Sequence, residues 1–290
     1  MSGISVFANF FIDDLERLKK LQYSFFSFKE VQINNWVINI RGKYKKNAET
    51  FLKKNIDKKK IKLFFIETEN GWIEDSLKIS KYLKSKYVFY WIEDHICIGG
   101  YKFFNNVIKS LYKYRIDYLP YSWFFFGKNI KSFNLQSLNS SDEFFYKDYD
   151  KNDHLERLRL IEKKKLIADI YVISCCSIMN KKIFVKLLST KDRIFFKWNK
   201  FLPFNFEKDQ FDMHWLPYRI GILKRELFAS IDDDLGCKGY SLISRGKYKS
   251  LKLRSKNKII KKDKINYGYL SNIKFFVKTN INKIYRFLFF

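Results

Sequence analysis

Short apolar runs alternate with segments of helical periodicity along the first part of the chain. Residues 4–11, ISVFANFF, are predicted to form a buried strand. The following DDLERLKKLQ has an acidic start and leucines at 15, 18 and 21, which predicts an amphipathic helix. The apolar strand Trp36–Ile40 and the helical segment KKNAETFLKKN repeat this arrangement. The chain therefore begins with two strand–helix units.

A third unit leads to an abrupt change from apolar to charged residues. KLFFI at 62–66 is predicted to be a strand, and ENG at 69–71 a turn. The next helix places four residues on one face: Trp72, Ser76, Ile79 and Leu83. YVFYWI, residues 87–92, is a fourth apolar strand, and it stops on Glu93, Asp94 and His95.

Strands that are apolar along their whole length and alternate with helices predict a mostly parallel sheet covered on both faces. In such sheets the ligand crevice lies beyond the carboxyl ends of the strands. Glu93, Asp94 and His95 follow the fourth strand at that edge. We therefore predict an α/β, Rossmann-like fold in which strand 87–92 is a buried scaffold for a polar cluster at the mouth of the crevice.

The pattern changes beyond Pro120, where the Ser- and Asn-rich stretch SFNLQSLNSSDE is typical of a loop or linker. A charged helix (HLERLRLIEKKK), an apolar strand (IYVISCC) and a further helix (NKKIFVKLL) are predicted after it. From Leu251 onward, Lys, Asn and aromatic residues dominate. We divide the chain into an α/β half at 1–130, a second half of the same domain at 131–250, and a basic, aromatic C-terminal segment at 251–290.

The composition indicates a globular protein with many positive charges. The chain has 290 residues, 47% of them hydrophobic, which is enough for a substantial core. The formal net charge of +27 favours phosphate-rich partners such as a nucleotide, a nucleic acid or an anionic membrane. The abundance of Lys, Asn, Ile, Phe and Tyr, whose codons are AT-rich, offers genomic base composition as an alternative source of this charge.

The cysteines and the apolar runs exclude several classes of protein. The 4 cysteines include no C-x-x-C pair, and we expect reduced, mostly buried thiols in a cytoplasmic protein. No apolar stretch approaches the roughly 20 residues of a membrane helix, and the N-terminus lacks the pattern of a signal peptide. A disulfide scaffold and a membrane-spanning protein are therefore not expected.

The run KLFFIETENGWIEDSLKISKYLKSKYVFYWIEDH combines a strand, an Asn-Gly turn, a helix and a strand that leads into an acidic motif. In this order and spacing, the first part of the chain resembles the family 2-like glycosyltransferases of the GT-A fold. IYVISCCSIMNKKIFVKLL is similar to the acceptor-side strand and helix of that family, and FNFEKDQF stands at about the place of its later acidic motif. The resemblance implies that residues 1–130 bind a nucleotide-sugar donor and that residues 131–250 bind a saccharide or lipid-linked acceptor.

The resemblance also implies a divalent metal ion, Mn²⁺ or Mg²⁺, at the acidic motif. Glu93, Asp94 and His95 stand where the family has D-x-D. A D-x-H variant with metal ligands at both ends would make Glu93 and His95 the ligands, and positions i and i+2 of an extended segment do point the same way. Alternatively, Asp94 is the principal ligand, or the motif has lost its metal. An imidazole ligand would shift the preference towards Mn²⁺.

Five residues are our candidates for contacts with the nucleotide-sugar donor. Asn9 and Phe10 lie near the end of the opening strand, and Asp94 lies in the acidic motif. Arg41 follows the second strand, where the family has an aspartate that contacts the nucleotide base. Arg245, in the segment GYSLISRGKY, is a candidate for contact with a diphosphate.

Glu207 and Asp209, in FNFEKDQF, are the candidates for the base that deprotonates the acceptor hydroxyl, with Asp212 and His214 close behind. The alternative is that these acids only decorate a charged surface loop. The triple acid 232–234 lacks the residue order of a calcium loop, and a solvated turn is expected there.

The leading hypothesis is a metal-dependent, hexosyltransferase-type enzyme of surface polysaccharide or glycan synthesis. The basic segment 251–290 is either a peripheral anchor on the anionic cytosolic face of a membrane or a set of ordinary helices. The rival is a nucleic-acid-binding protein, which the scattered charges and the absence of known binding motifs disfavour. A catalytically inactive relative that serves in assembly is the third alternative.

Overall fold

The computed structural model describes residues 3–67, 71–120, 138–162, 176–189, 217–232 and 241–248. Its strands have the following bounds: β1 Ile4–Phe11, β2 Ile33–Arg41, β3 Ile61–Phe64, β4 Tyr87–Tyr90, β5 His95–Cys97, β6 Tyr118–Pro120, β7 Asn139–Ser140, β8 Phe144–Tyr149, β9 Ser177–Asn180, β10 Tyr218–Leu223 and β11 Phe228–Ser230. Its helices have these: α1 Leu15–Phe28, α2 Lys45–Asn55, α3 Trp72–Ser80, α4 Tyr101–Tyr114, α5 Lys151–Glu162 and α6 Lys181–Ser189.

One sheet of nine strands, in the order β3-β2-β1-β4-β9-β6-β10-β8-β7, organises the described residues. The four strands predicted from the apolar runs lie side by side and are parallel. β9 is antiparallel to both of its neighbours, β4 and β6, and β8 is antiparallel to β10. The predicted α/β class, a large sheet flanked by helices, is confirmed.

Helices cover both faces of this sheet, as predicted. Buried side chains of α1, α2 and α4 pack on one face, and those of α3 and α6 pack on the other. The four residues predicted to share a face of the third helix are all buried: Trp72, Ser76, Ile79 and Leu83. Of the three leucines of α1, Leu18 and Leu21 are buried but Leu15 is 55% exposed, so its predicted place on the buried face is wrong. Leu15 lies on the same side of α1 as Tyr23 and Phe26, which are also exposed, and this side faces solvent.

The later elements agree in part with the sequence pattern. NKKIFVKLL is confirmed as a helix by α6, and α5 contains the first part of the predicted charged helix. The predicted strand IYVISCC lies outside the described residues except for Cys176, and the strand described next to it is β9. The boundaries at residues 130 and 250 stay predictions.

Two further expectations concern the cysteines and the membrane. Cys97 and Cys176 are free, buried thiols, as expected, and the other two cysteines lie outside the described residues. In the described parts of the chain, none of the helices is both long and apolar enough to cross a bilayer.

Candidate functional site at the carboxyl edge of the sheet

The end of β4 is held in place by aromatic packing. The Trp91 backbone N–H donates to the carbonyl of Phe7 in β1 at 2.9 Å, one residue beyond the ladder that joins these strands. The Trp91 ring is fully buried and meets the ring of Phe10 edge-on, with ring centroids 4.8 Å apart. The chain then turns, and His95 starts β5, which pairs with β11 in a separate two-stranded sheet. The polar cluster at 93–95 therefore lies between the two sheets, at the carboxyl edge of the parallel strands.

Arg17 and Glu93 form the central ion pair of this edge. Nη1 of Arg17 lies 2.6 Å from Oε1 of Glu93, whose side chain is only 8% exposed. Arg17 stands in the first turn of α1, which directly follows β1 and is capped by the side chain of Asp14. Because the carboxyl ends of β1 and β4 are neighbours, this turn reaches the buried acid. The Arg17 side chain remains 46% exposed and so presents positive charge to solvent.

Asp94 and His95 form a second pair beside it. Nδ1 of His95 lies 2.7 Å from Oδ1 of Asp94, and the Asp94 side chain is 33% exposed. The predicted alternation of side chains along an extended segment is absent here, because β4 has ended at Tyr90 and residues 92–95 form a turn, in which the His95 N–H donates to the Ile92 carbonyl. His95 therefore faces Asp94, and Glu93 faces Arg17.

The two carboxyl groups differ in acidity because their surroundings differ. Burial raises the pKa of Glu93 to about 7, the nearby charge of Asp94 adds to this rise, and the pairing with Arg17 offsets only part of it. Burial would also raise the pKa of Asp94, but the charge and hydrogen bond of His95, together with Lys20 and Arg17, hold it below its usual value. Asp94 is thus the better permanent anion of the two.

Ser24 connects three elements beneath this cluster. Its hydroxyl donates to the backbone carbonyl of His95 and accepts a 2.7 Å hydrogen bond from Nε1 of Trp91. One buried serine of α1 thereby fixes both the indole after β4 and the first residue of β5. The position of Asp94, between these two anchored residues, follows from that arrangement.

Residues 231–232 close the cluster from the side of β11. The backbone N–H of Ile231 donates to the carbonyl of Asp94 at 2.8 Å. The carboxylate of Asp232 lies 2.6 Å from Nζ of Lys20, a lysine whose side chain is only 9% exposed. Of the triple acid, Asp232 is thus paired with a lysine, whereas residues 233 and 234 lie outside the described residues.

A buried polar network lies along the same edge, at the ends of β1 and β2. Oδ1 of Asn9 accepts hydrogen bonds from Nδ2 of Asn39 at 3.0 Å and from Nε of Arg41 at 3.3 Å. Nδ2 of Asn9 donates to the hydroxyl of Ser76 in α3 at 3.0 Å. Asn39 also exchanges two hydrogen bonds with the backbone of Ile66, beyond β3. Asn9 and Arg41, predicted separately from two strands, are therefore brought into contact.

Arg41 and Phe10 are both buried. The Arg41 guanidinium lies 5.5 Å from the ring centre of Phe11, and burial lowers its pKa although Asp75 and Glu67 oppose the change. The ring of Phe10 is packed against Trp91 in the core, so only its backbone remains for a donor contact. The predicted donor contacts of these residues stay predictions.

Arg245 lies in a different environment from the one we expected. Its Nη1 and Nη2 bind the two carboxylate oxygens of Glu226 at 2.7 and 3.0 Å. This bidentate pair is largely buried. The predicted contact of Arg245 with a diphosphate stays a prediction, and it would require the guanidinium to leave Glu226.

The donor set at 93–95 fits a metal ion only in part. Within the residues that the structure describes, no group of three His, Cys, Asp or Glu side chains could hold a metal ion. Arg17 is paired with Glu93 and His95 with Asp94. The predicted joint grip of one ion by Glu93 and His95 therefore stays a prediction, and it would require both side chains to change partners. Asp94 alone offers a partly exposed carboxylate of lowered pKa. This fits an ion such as Mg²⁺ or Mn²⁺ that is shared between one carboxylate and substrate phosphates.

The candidates for the catalytic base, Glu207 and Asp209, lie outside the described residues, as do Asp212 and His214. Their roles stay predictions.

Sequence reasoning missed Arg17, Lys20 and Ser24, which all lie on α1. A signal was present, because a cation in the first turn of the helix after β1 must stand at the carboxyl edge of the sheet. The partner of that cation was not predictable from the helix itself.

Comparisons with known proteins return structural likeness only. No protein-family profile and no curated protein sequence matches this chain. Among solved structures, the crystal structure of residues 1–349 of TarS from S. aureus is similar with a TM-score of 0.48 and 11% identity, over 79% of this chain and 60% of that one. The same fragment in complex with UDP-GlcNAc gives a TM-score of 0.45 and 12% identity, over 78% and 57%. This chain thus spans less than two thirds of the length of those structures.

Proposed function

We propose that this chain is a glycosyltransferase that moves a sugar from a nucleotide-sugar donor to a saccharide or lipid-linked acceptor. The observation that carries the proposal is the pairing of a half-exposed Arg17 with buried Glu93 directly beside the acid Asp94. This cluster lies at the carboxyl edge of four parallel strands, which is where α/β sheets bind ligands. The resemblance of the first part of the chain to family 2-like glycosyltransferases supports the same conclusion.

The chemistry of sugar transfer requires positive charge at this edge. When the glycosidic bond of the donor breaks, the nucleoside diphosphate leaving group gains negative charge, which fixed cations stabilise. Arg17 is suited to this role because a guanidinium matches phosphate geometry and Glu93 holds one of its nitrogens in place. The exposed part of the guanidinium remains for the diphosphate.

Asp94 is the residue that would hold a divalent ion together with the donor phosphates. Such an ion, when bound, neutralises charge on the phosphate oxygens. His95 fixes the Asp94 carboxylate through its ring nitrogen, and Ser24 in turn fixes the backbone of His95. The buried network around Asn9 and Arg41 lies at the neighbouring strand ends and is the proposed contact for the rest of the nucleotide.

The acceptor side of the proposal depends on residues 131–250. Glu207 or Asp209 would take the proton of the acceptor hydroxyl, which requires a carboxylate within hydrogen-bond reach. A role in surface polysaccharide or glycan synthesis, hexosyl transfer and a cytoplasmic site of action all belong to this proposal.

The proposal is tested by thermal denaturation with nucleoside diphosphates and nucleotide sugars, including UDP-GlcNAc, with and without Mn²⁺. A matching nucleotide present at about 100 times its Kd should raise the midpoint by several degrees. Arg17→Met and Asp94→Asn should each reduce the shift. Asp142→Asn removes a charge from an exposed acid elsewhere and should leave the shift unchanged.

Release of the nucleoside diphosphate in the presence of acceptor then measures turnover. Absence of a shift from every nucleotide would overturn the donor site. Binding without turnover would instead favour the inactive relative. Salt-sensitive binding of single-stranded nucleic acid, without any nucleotide shift, would favour the nucleic-acid-binding rival.

A further inference from the structure

The outer face of α1 exposes large apolar side chains. Leu15 and Tyr23 are each 55% exposed, and Phe26 is 48% exposed. With Lys19 they follow one side of the helix, opposite the buried Leu18, Leu21 and Phe25. In the described residues, seven large hydrophobic side chains are exposed. Four of them lie at 11–26, namely these three on α1 and Phe11 just before it.

The neighbouring helix α2 surrounds this face with positive charge. α2 lies beside α1 on the same side of the sheet, and the rings of Phe26 and Phe51 have centroids 5.6 Å apart. Seven lysines between residue 43, just before α2, and the start of β3 are exposed: Lys43, Lys46, Lys53, Lys54, Lys58, Lys59 and Lys60. The acids within that stretch are Glu49, which is paired with Lys46 and Lys53, and Asp57. Within this stretch, positive charge therefore exceeds negative charge strongly.

The opposite layer of the sheet lacks this combination. α3 and α6 carry exposed lysines such as Lys78 and Lys182, but none of the exposed large hydrophobic side chains in the described residues lies on them. Exposed lysines occur on both layers, as expected from a composition rich in lysine, so lysines alone do not distinguish the layers. The α1–α2 side differs because it combines exposed apolar side chains with a high density of lysines.

We propose that the outer surface formed by Leu15, Lys19, Tyr23 and Phe26 of α1 with Lys46, Lys53, Lys54 and Lys58–Lys60 of the α2 side docks on an anionic lipid bilayer. Apolar side chains enter the interface between headgroups and acyl chains, and lysines attract anionic headgroups at about 1 kcal/mol each. The charge complementarity selects a negatively charged membrane as the partner. This surface is called the α1–α2 surface below.

The α1–α2 surface lies close to the candidate site, so docking would bring that site to the membrane. Leu15 is the first residue of α1, and Arg17, which binds Glu93, lies two residues later on the same helix. A bilayer that contacts α1 therefore lies close to the carboxyl edge of the sheet. This arrangement favours a lipid-linked acceptor over a soluble saccharide, and that part of the inference rests on the proposed function.

Sedimentation with vesicles tests the docking without any nucleotide. The full chain should bind vesicles of equal parts phosphatidylcholine and phosphatidylglycerol, and should not bind pure phosphatidylcholine. Lys54→Glu combined with Lys58→Glu should weaken binding about tenfold or more, because two attractive charges become repulsive. Lys78→Glu combined with Lys182→Glu makes the same change of net charge on the other layer and should weaken it far less.

A second pair of variants tests the apolar contribution. Leu15→Ser should weaken vesicle binding severalfold, whereas Leu155→Ser, which removes another exposed leucine (49% exposed), should not. Equal losses in test and control variants would overturn the α1–α2 surface, as would wild-type binding in all of them. If the combined Lys54→Glu and Lys58→Glu variant lost binding to single-stranded RNA but kept binding to vesicles, the surface would be assigned to nucleic acid. If the chain self-associated in a concentration-dependent way and Leu15→Ser abolished this, the surface would be assigned to contact with a second copy. Either of these results would also overturn the proposal.

The vesicle test and the nucleotide test fail independently. Vesicle binding by the α1–α2 surface without any nucleotide shift would leave the docking intact and overturn only the proposed function. A nucleotide shift without vesicle binding would do the reverse.

Discussion

Arg17 and Glu93 are joined by a 2.6 Å ion pair although 76 residues separate them in the chain. The pair links the first turn of α1 to the turn after β4, across the carboxyl ends of two neighbouring parallel strands. Because Glu93 is buried and Arg17 is half exposed, the pair fixes a cation at the mouth of the candidate site.

Loss of Arg17 should destabilise the fold in a pH-dependent way. Burial raises the pKa of Glu93 to about 7, so the folded chain holds a proton that the unfolded chain releases at about its ordinary value of 4.5. The stability that the protonated form contributes is complete below about 4.5 and is lost as the pH rises to about 7. Arg17→Met should therefore cost about 1–2 kcal/mol of unfolding free energy near pH 8, where a buried carboxylate loses its partner, and less near pH 5.5.

Denaturant unfolding at these two pH values measures the difference. Lys19→Met is the matched control, because it removes another exposed cation of α1, two residues after Arg17. An equal cost of Arg17→Met at both pH values would contradict the assigned role of Glu93.

Ser24→Ala should cost about 1–3 kcal/mol of unfolding free energy, because it leaves a buried indole N–H and a buried carbonyl without their shared partner. The change is small in volume, so a large loss would reflect the hydrogen bonds and not the packing. Ser189→Ala, at an exposed position near the end of α6, should cost less than about 0.5 kcal/mol. Equal unfolding midpoints for the two variants would show that Ser24 does not support the turn at 91–95.

Cys97 should resist alkylation in the folded protein. Burial raises the pKa of its thiol to about 12, although the backbone N–H groups of Gly99 and Gly100 oppose the rise. Since the thiolate is the reactive form, iodoacetamide near pH 8 should modify Cys97 rapidly only after denaturation. Peptide mass spectrometry can follow Cys97 separately from the other cysteines. Modification of the folded chain within about tenfold of the denatured rate would contradict the described burial.

Mn²⁺ alone should not stabilise this protein, whereas Mn²⁺ with the matching nucleoside diphosphate should. The reason is that Asp94 is the single partly exposed carboxylate of the 93–95 cluster, and one carboxylate holds a divalent ion only with help from phosphate oxygens. Thermal denaturation with metal, nucleotide, both, and both plus chelator measures this. A clear shift with metal alone, absent in Asp94→Asn, would reveal a site that the protein completes by itself.

Much of the fold was predictable because its strands and helices have strong periodic patterns. The four apolar runs of the first half became the four parallel strands β1 to β4. The four residues assigned to the inner face of the third helix are all buried, although α3 ends at Ser80, before Leu83. Leu15 was assigned wrongly, because a leucine in the first turn fits the apolar period even when the helix turns it towards solvent.

The candidate site was predictable in location but not in its contacts. The acidic motif was expected at the carboxyl edge, and it lies there. The side chains of residues 93–95 do not alternate as they would in an extended strand, because β4 ends at Tyr90 and a turn follows. Asn9 and Arg41 were chosen separately, and only the register of β1 on β2 brings them together.

The sequence by itself determined which segments are buried strands, most of the helix positions that point inward, and at which edge the polar residues gather. It did so because burial imposes a local period on apolar residues. Only the tertiary structure decided that Arg17 meets Glu93 and that Lys20 meets Asp232, partners 76 and 212 residues apart. Those pairings depend on the placement of β1 beside β4 and of β11 beside β5, and no local period encodes the order of strands in a sheet.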